Sequence, residues 1–309
     1  MHRSRNRVVF ILGAGRSGTT LLYKILSAHR GVAYLSNYQR LFPNLIVLAG
    51  LQRLLNQFPE YKRKFWFQEN GGAYFNKRRK WLHAIVPTPS EAESVYASCD
   101  IPLVPDDDYH LQPQVAACLR DKFERILKMS NSEILLTKRT ANNRRVPIFR
   151  EIFPDAKYIH VVRDGRAVAY SLLHVAWWDE HILYWADRTP RQMVEAGFDP
   201  LELAARNWVM EMNSLEQGIA LIQSNQLLEV RYDKLVHDPH GQLKRILDFM
   251  ELSDQIDPDF WEIVESLQLA PKPDAWTNNW TESEIDTVQT LQADTLHRWG
   301  FLKGRGFAC

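Results

Sequence analysis

An apolar run that leads at once into a glycine-rich segment constrains this chain more than any other feature. Residues 8–12, VVFIL, are followed by GAGRSGTT, residues 13–20, and then by a helical pattern. A strand, a tight turn and a helix start in this order direct backbone N–H groups at an anion. Nucleotide hydrolases carry a lysine after the second glycine of such a loop, and Thr19 takes that position here. The loop therefore predicts a site for a polyanion other than ATP.

Five short runs rich in apolar and β-branched residues recur along the chain, and each precedes a helical pattern. They are residues 8–12, 32–35, 134–137, 157–162 and 227–231. This alternation predicts an α/β fold, a P-loop-type parallel sheet of about five strands flanked by helices. The predicted helices are residues 19–29, 41–57, 111–128, 145–153, 166–174, 201–224, 242–250 and 281–299. Thr281 and Glu284 have the spacing of a capping box at the start of the last helix.

Residues 38–132, between the second and third predicted strands, read mainly as helices and loops rich in aromatic side chains. Ligands of doubly wound folds bind at the carboxyl edge of the sheet, so we expect this segment to be a helical, substrate-side insertion there. Proline-rich loops occur, but no long linker or internal repeat is evident. Residues 1–309 are therefore predicted to form a single domain.

The balance of charge and the cysteine pattern narrow the functional class. Lys plus Arg (38) nearly equals Asp plus Glu (37), which gives no broad field for nucleic acid or an anionic membrane. No apolar stretch approaches the length of a membrane span, and a signal peptide is not expected. Cys99, Cys118 and Cys309 fit no metal or redox spacing, so reduced thiols and a cytoplasmic location are predicted. The oligomeric state is left open.

Two further basic segments follow predicted strands. Arg163 stands at the end of the strand 157–162, and Ser171 lies on the helix after it. Lys138 and Arg139 come just past the third strand, so both segments reach the same edge of a parallel sheet. Taken singly, each is also explained by solvated residues at a strand end, and Asp164 could simply cap its helix.

Taken together, these segments resemble the family of sulfotransferases that use 3'-phosphoadenosine 5'-phosphosulfate (PAPS). GAGRSGTTLL is similar to the family's 5'-phosphosulfate loop, and VVRDGRAVAYSLL to its 3'-phosphate motif. LLTKRTANNRRVPIFREIFPDAKYIHVVRD, VRYDKLVHDPHGQLKRILDFM and the closing RWGF resemble later segments of the family. The motif style is closest to the tyrosylprotein and carbohydrate sulfotransferase branch. Residues 38–132 carry no motif of this kind, so we expect acceptor choice to reside there.

The resemblance implies PAPS as the sulfuryl donor, no metal, and an acceptor hydroxyl on a small molecule, a carbohydrate or a peptide tyrosine. It assigns catalysis to Arg16 and Lys138. The residues that it assigns to donor binding are Gly15, Arg16, Ser17, Gly18, Thr19, Thr20, Arg163 and Ser171. Reading the chain as a divergent P-loop kinase would make Asp164 a metal-binding carboxylate. A non-catalytic relative that binds PAPS or another anion is a third possibility.

The general base is the missing part of this interpretation. The tyrosylprotein branch has a Glu shortly after the second strand, where this chain offers Ser36 and Asn37, and the histidine of the cytosolic branch is replaced by Thr140. The other candidates are Glu69, Asp106, Asp107, Asp108, His110 and His174. The three consecutive aspartates are more typical of a solvated turn, and His174 is better explained as a core residue. The sequence does not choose among them.

Overall fold

The core of the fold is a five-stranded sheet in which every pairing is parallel. The computed structural model describes residues 7–68, 85–106, 108–253, 257–271 and 273–302. The strands are β1 (Arg7–Leu12), β2 (Val32–Tyr34), β3 (Ile134–Lys138), β4 (Lys157–Val162) and β5 (Leu227–Arg231), in the order β2-β3-β1-β4-β5. All five predicted strands are present within two residues of their expected limits. The α/β prediction with a parallel sheet is confirmed.

Helices cover both faces of the sheet, which is why the central strands are apolar on both sides. On one face, Phe10 of β1 stacks on Phe149 with ring centroids 4.2 Å apart. On the other face, Val9 and Ile11 belong to a second buried cluster together with Leu22. The strands are thus held between two apolar layers, and the glycine-rich loop, Lys138 and Arg163 lie at or just past their carboxyl ends.

The described helices are α1 (Thr19–Ser27), α2 (Asn37–Leu41), α3 (Leu51–Leu55), α4 (Pro59–Trp66), α5 (Glu93–Ala97), α6 (Pro113–Ser130), α7 (Val146–Ile152), α8 (Gly165–Leu173), α9 (Pro190–Glu195), α10 (Pro200–Ile219), α11 (Tyr232–His237), α12 (Pro239–Phe249), α13 (Pro258–Ser266), α14 (Ala275–Asn279) and α15 (Glu282–Arg298). The predicted capping box opens α15, where Glu284 N–H donates to Thr281 Oγ1 at 3.3 Å and Thr281 N–H to Glu284 Oε2 at 2.8 Å. Buried residues of 38–132, among them Tyr96 and Phe123, pack in the same cluster as Phe10. The single-domain organisation stays a prediction.

The continuous helix predicted over residues 41–57 is wrong. Helix α2 ends at Leu41, a 3-10 helix covers Ile46–Gly50, and α3 begins only at Leu51. Pro43 explains the break, because a residue before proline is driven out of the helical region, and Phe42 has φ −132° and ψ 71°. The apolar spacing that suggested one helix is divided among three short elements.

The prediction of reduced thiols is also wrong for two of the three cysteines. Cys99 and Cys118 form a disulfide, with their Cα atoms 5.6 Å apart. The bond joins the end of α5 to α6, two elements whose proximity depends on the tertiary fold rather than on a sequence motif. Cys309 lies outside the described residues. The cytoplasmic location therefore stays a prediction without support from the cysteines.

Candidate functional site

The glycine-rich loop, residues 13–18, joins β1 to α1 at the carboxyl edge of the sheet. Gly18 is the N-cap of α1 with φ 92°, and a Cβ at this position would lie 2.3 Å from the ring of Tyr232. Only glycine fits both the left-handed backbone and this close approach. A cap without a side chain leaves the first N–H groups of α1 for another acceptor, which suits an anion.

Three predicted donor-binding residues meet at this loop. Arg16 Nε donates a hydrogen bond to Ser171 Oγ at 2.9 Å, and Arg163 donates to the carbonyl oxygen of Arg16 at 3.1 Å. The Arg163 guanidinium also lies over the ring of Tyr232, 4.6 Å from its centroid. Burial, and after it repulsion from Arg163, lower the pKa of Arg16. Two neighbouring guanidinium groups are suited to a phosphate or sulfate group.

A cavity of about 590 Å³ opens beside these groups. Its lining includes Arg16, Gly18, Thr19, Thr20, Arg163 and Tyr232. Two details fit an anionic occupant. No atom lies within 4 Å of the place where a Cβ of Gly15 would stand, and Ser17 Oγ is buried with no hydrogen-bond partner among the described residues. The residues present therefore fit a nucleotide-sized ligand with its phosphates on the loop.

Lys138, at the end of β3, reaches the other side of the same helix start. Its ammonium group donates to Thr20 Oγ1 at 3.2 Å, and its side chain is only 6% exposed. Thr20 also lines the cavity. The hydroxyl of Thr20 thus marks the point where the cavity and the lysine meet.

The second partner of Lys138 is Glu91, a residue absent from the sequence-based candidates. Glu91 forms ion pairs with Lys138 and with Arg139, the latter at 2.7 Å. Burial on its own would raise the pKa of Glu91, but the two cations outweigh it and lower that pKa to about 2. In this state Glu91 is fully ionised at neutral pH.

A bridge to the end of β2 carries Glu91 to this position. Asn37 donates its N–H to the carbonyl oxygen of Thr88 at 3.0 Å, and its side-chain oxygen accepts from the N–H of Thr88 at 2.9 Å. Ser90 N–H donates to the carbonyl oxygen of Leu35 at 2.8 Å. Asn37 is therefore the residue that anchors the segment leading into Glu91. Glu91 follows two prolines and precedes a short helix, and nothing in the sequence around it indicates this role.

The carboxylate of Glu93, two residues beyond Glu91, stabilises two arginines that follow β3. Glu93 accepts from Arg139 Nε at 3.0 Å and from Arg145 at 2.5 Å, and the Arg145 side chain is completely buried. Glu91 and Glu93 thus share Arg139 between them. The network fixes the start of α5 against the end of β3.

An amide on the 3-10 helix Thr140–Arg144 holds the first glycine of the loop. Asn143 accepts from Gly13 N–H at 3.0 Å and donates to the carbonyl oxygen of Gly13 at 3.2 Å. It also donates to Glu211 of α10 at 3.2 Å, and Glu211 pairs with Arg144 at 3.2 Å. Burial raises the pKa of Glu211, while Arg144 opposes that rise. The loop is thereby fixed from the helix layer behind it.

The chain also matches a known protein family over most of its length. The sequence model described as "Sulfotransferase family" matches residues 8–256, most of the chain. The chain belongs to the sulfotransferase family. This membership covers both the glycine-rich loop and the segment of Arg163 and Ser171.

Relatives of this sulfotransferase-family chain act on different kinds of acceptor, as their names state. Omega-hydroxy-beta-dihydromenaquinone-9 sulfotransferase Stf3 of Mycobacterium bovis is 24% identical over 255 residues, which cover 80% of this chain and 63% of Stf3. Protein-tyrosine sulfotransferase A of Caenorhabditis elegans is 25% identical over 154 residues, 48% of this chain and 34% of that protein. The chain thus spans less than two thirds of the length of either relative.

The fold of the sulfotransferase family is also found by comparison of structures. Sulfotransferase STF9 from Mycobacterium avium superposes with a TM-score of 0.56 at 17% identity, over 95% of this chain and 76% of that chain. At this identity the likeness concerns the fold alone. It agrees with the parallel sheet and its flanking helices.

The predicted bases either fall outside the described residues or make no described contact with the groups of this sulfotransferase-family site. Glu69 and Asp107 fall outside the described residues. Asp106, Asp108 and His110 are exposed in the loop before α6. His174 is exposed at the end of α8, where its Nδ1 pairs with the carbonyl oxygen of Tyr170 at 2.7 Å, so its assignment to the core is wrong. None of the described contacts of these residues reaches Lys138.

Asp164 caps α8, as the simpler interpretation suggested. It accepts from Arg166 N–H at 2.9 Å and forms an ion pair with the Arg166 side chain at 2.6 Å.

Over the described ranges, no group of three or more His, Cys, Asp or Glu side chains could hold a metal ion. Likewise, no described helix is long and apolar enough to cross a membrane. Metal independence stays a prediction.

Proposed function

We propose that this protein transfers the sulfuryl group of PAPS to the hydroxyl group of an acceptor. The observation that carries the proposal is the pair of neighbouring guanidinium groups, Arg16 and Arg163, beside a cavity that the glycine-rich loop lines. PAPS has two separate anionic ends, so a loop and a second basic site match its chemistry. When bound, it supplies a sulfuryl group activated by its 5'-phosphate.

Each predicted site residue has a defined task in this proposal. Arg163 and Ser171 hold the 3'-phosphate and thereby distinguish PAPS from ATP. The 5'-phosphosulfate end is bound by Gly15, Arg16, Ser17, Gly18, Thr19 and Thr20. Arg16 and Lys138 stabilise the negative charge that grows on the departing phosphate oxygen, a task for fixed cations in a site that excludes water. Because side chains supply these charges, no metal is required.

The acceptor is a hydroxyl group on a small molecule, a carbohydrate or a peptide tyrosine. Support for this range comes from the relatives, whose names state a hydroxylated menaquinone in one case and protein tyrosine in the other. Residues 38–132 contribute the wall of the site beside Lys138, since Glu91 and α5 belong to them. Differences in this segment are therefore expected to determine which hydroxyl is accepted.

The kinase and non-catalytic interpretations are weaker. A kinase would need a carboxylate for magnesium, and Asp164 is already engaged with Arg166 and with the cap of α8. A non-catalytic relative would need no carboxylate beside Lys138, whereas in this chain Glu91 forms an ion pair with Lys138. Sulfuryl transfer makes use of both the cavity and the Lys138–Glu91 pair.

Binding and turnover measurements with one variant test the proposal. Adenosine 3',5'-bisphosphate is expected to bind equally well before and after magnesium chelation, measured by isothermal titration calorimetry. In Lys138→Ala, turnover of PAPS should fall about 10²- to 10³-fold. Bisphosphate affinity should change little in this variant. In the wild-type protein, a contact between Lys138 and the ligand forms only at the cost of the ion pair between Lys138 and Glu91. Preference for ATP with magnesium, or unchanged turnover in the variant, would contradict the assignment.

A further inference from the structure

We propose that Glu91 is the general base that deprotonates the acceptor hydroxyl, and that donor binding activates it by drawing Lys138 away from it. This inference rests on the proposed sulfuryl transfer and adds the residue and the order of events. Glu91 then has two states. Without the donor it is paired with Lys138, and with the donor bound it is released from Lys138 and acts as a base.

The position of Glu91 suits this task. Lys138 is shared between Glu91 and Thr20, and Thr20 lines the donor cavity, so the carboxylate stands one side chain away from the place of transfer. The Glu91 side chain is 36% exposed, whereas that of Lys138 is 6% exposed. An acceptor can therefore approach the carboxylate from solvent while the lysine stays on the donor side.

The segment that carries Glu91 is built to hold it there. Asn37 makes two hydrogen bonds to the backbone of Thr88, and Ser90 bonds to the end of β2. Asn37 occupies the place where the resemblance expects a glutamate. The chain thus fills that place with an amide that anchors a second segment, and the second segment supplies the carboxylate.

The charges around Glu91 explain why a change is needed. Lys138 and Arg139 at the end of β3 lower the pKa of Glu91 to about 2, against the effect of burial, and a carboxylate so stabilised is a poor base. Tyr23 of α1 and His181 of the loop after α8 also face it. His181 is an exposed residue, and partial desolvation of its ring, followed by repulsion from Arg139 and Arg144, lowers the pKa of that histidine.

An anion at the loop competes with Glu91 for Lys138. When the ammonium group turns toward the donor, Glu91 loses one of its two ion pairs and becomes more basic. Arg139 stays with Glu91 and Glu93, so the carboxylate keeps its orientation. Binding of the donor thereby precedes activation of the acceptor.

The chemical step is balanced with these groups. Glu91 takes the proton of the acceptor hydroxyl as the acceptor oxygen forms a bond to sulfur. The bond between sulfur and the 5'-phosphate oxygen breaks, and its electron pair leaves with the bisphosphate beside Lys138. The products are the sulfate ester, adenosine 3',5'-bisphosphate and protonated Glu91, which returns its proton to solvent.

Glu91→Gln tests the proposal through binding as well as turnover. Loss of the carboxylate frees Lys138, so adenosine 3',5'-bisphosphate should bind about tenfold more tightly by calorimetry, the effect of one charge pair. Hydrolysis of PAPS to sulfate, with water as the acceptor, should fall about 10²- to 10⁴-fold. Glu91→Asp should restore part of the turnover and keep an acidic limb in its pH profile.

Glu93→Gln is the matched control, because Glu93 belongs to the same ion-pair network but does not touch Lys138. It should lower stability and leave bisphosphate affinity unchanged, because Lys138 keeps its pair with Glu91 in this variant. Equal or weaker bisphosphate binding in Glu91→Gln overturns the exchange of Lys138, whether or not hydrolysis is measurable. Full turnover in Glu91→Gln overturns the assignment of the base, and a loss of turnover in His181→Asn would then assign that role to His181. Failure of the wild-type protein to bind the bisphosphate would instead contradict the proposed function.

Discussion

Arg163 directly follows β4, and its guanidinium group contacts both the ring of Tyr232 and the backbone of Arg16. Arg163 therefore has two roles, and the binding of two different nucleotides to one variant can separate them. The contact with Arg16 supports the loop, and Arg163 also lines the cavity with a guanidinium group that has further N–H donors. A residue that only supported the loop would affect every loop-bound nucleotide alike.

We expect Arg163→Ala to weaken adenosine 3',5'-bisphosphate about 10- to 100-fold, the effect of losing hydrogen bonds to a charged group. Adenosine 5'-monophosphate, which lacks the 3'-phosphate, should be weakened much less. Isothermal titration calorimetry of both ligands measures the difference. Arg53→Ala, which removes an exposed arginine of α3, serves as the control and should change neither affinity. Equal losses for the two nucleotides would remove Arg163 from the 3'-phosphate site.

At the level of elements, the start of α5 matters because it fixes the carboxylates beside Lys138. The disulfide from Cys99 to Cys118 ties the end of α5 to α6, and Lys122 of α6 donates to Ser98 Oγ at 2.6 Å. Ion pairs from Glu93 hold the other end of α5. A helix of five residues has little stability of its own, so these tertiary contacts keep it in place.

Loss of the disulfide should therefore lower the free energy of unfolding. The bond closes a loop with a sequence separation of 19, for which chain entropy gives about 3 kcal/mol. Urea denaturation should show this loss in the double variant Cys99→Ala, Cys118→Ala. A reductant should reproduce most of it in the wild-type protein and have no further effect on the variant. Unchanged wild-type stability after full reduction would argue against a stabilising bond.

The elements also show what the sequence could and could not predict. Continuous apolar runs identified all five strands, and the parallel order then brought the residues after β1, β3 and β4 to one edge, so the loop, Lys138 and Arg163 were expected together. Glu91 was not expected there. It lies 47 residues before Lys138, and backbone hydrogen bonds from Asn37 to Thr88 and from Ser90 to Leu35, just past β2, bring its segment close. Contacts of this kind leave no periodic signal in a sequence.

At the scale of the whole molecule, two buried lysines connect α1 and α4, which pack on the same face of the sheet. Lys24 of α1 donates to the carbonyl oxygen of Trp66, and Lys62 of α4 donates to the carbonyl oxygen of Ala28, each at 2.7 Å. Each ammonium group thus binds a carbonyl oxygen at or just past the C-terminal end of the opposite helix, where cations are favoured. Burial nevertheless lowers the pKa of Lys24 to about 7 and that of Lys62 to about 8.

These lowered pKa values make the stability of the whole fold depend on pH. Between pH 7 and the ordinary lysine value of 10.5, the unfolded chain binds more protons than the native protein, so the free energy of unfolding rises with pH. The rise is up to about 1.4 kcal/mol per pH unit for each lysine. Above pH 10 the trend reverses, because burial raises the pKa of Tyr23 and Tyr34 and only the unfolded chain then loses those protons.

Urea denaturation at about pH 7, 8 and 9 tests this pH dependence, because at these values the unfolded chain binds more protons than the native protein. Lys24→Met should flatten the rise because a neutral side chain binds no proton in either state. Lys64→Met, on the exposed face of α4, is the control and should leave the slope unchanged, since this side chain is not buried. A wild-type slope that Lys24→Met does not reduce would show that Lys24 stays protonated in the folded protein, held as a cation at the end of α4 despite its burial.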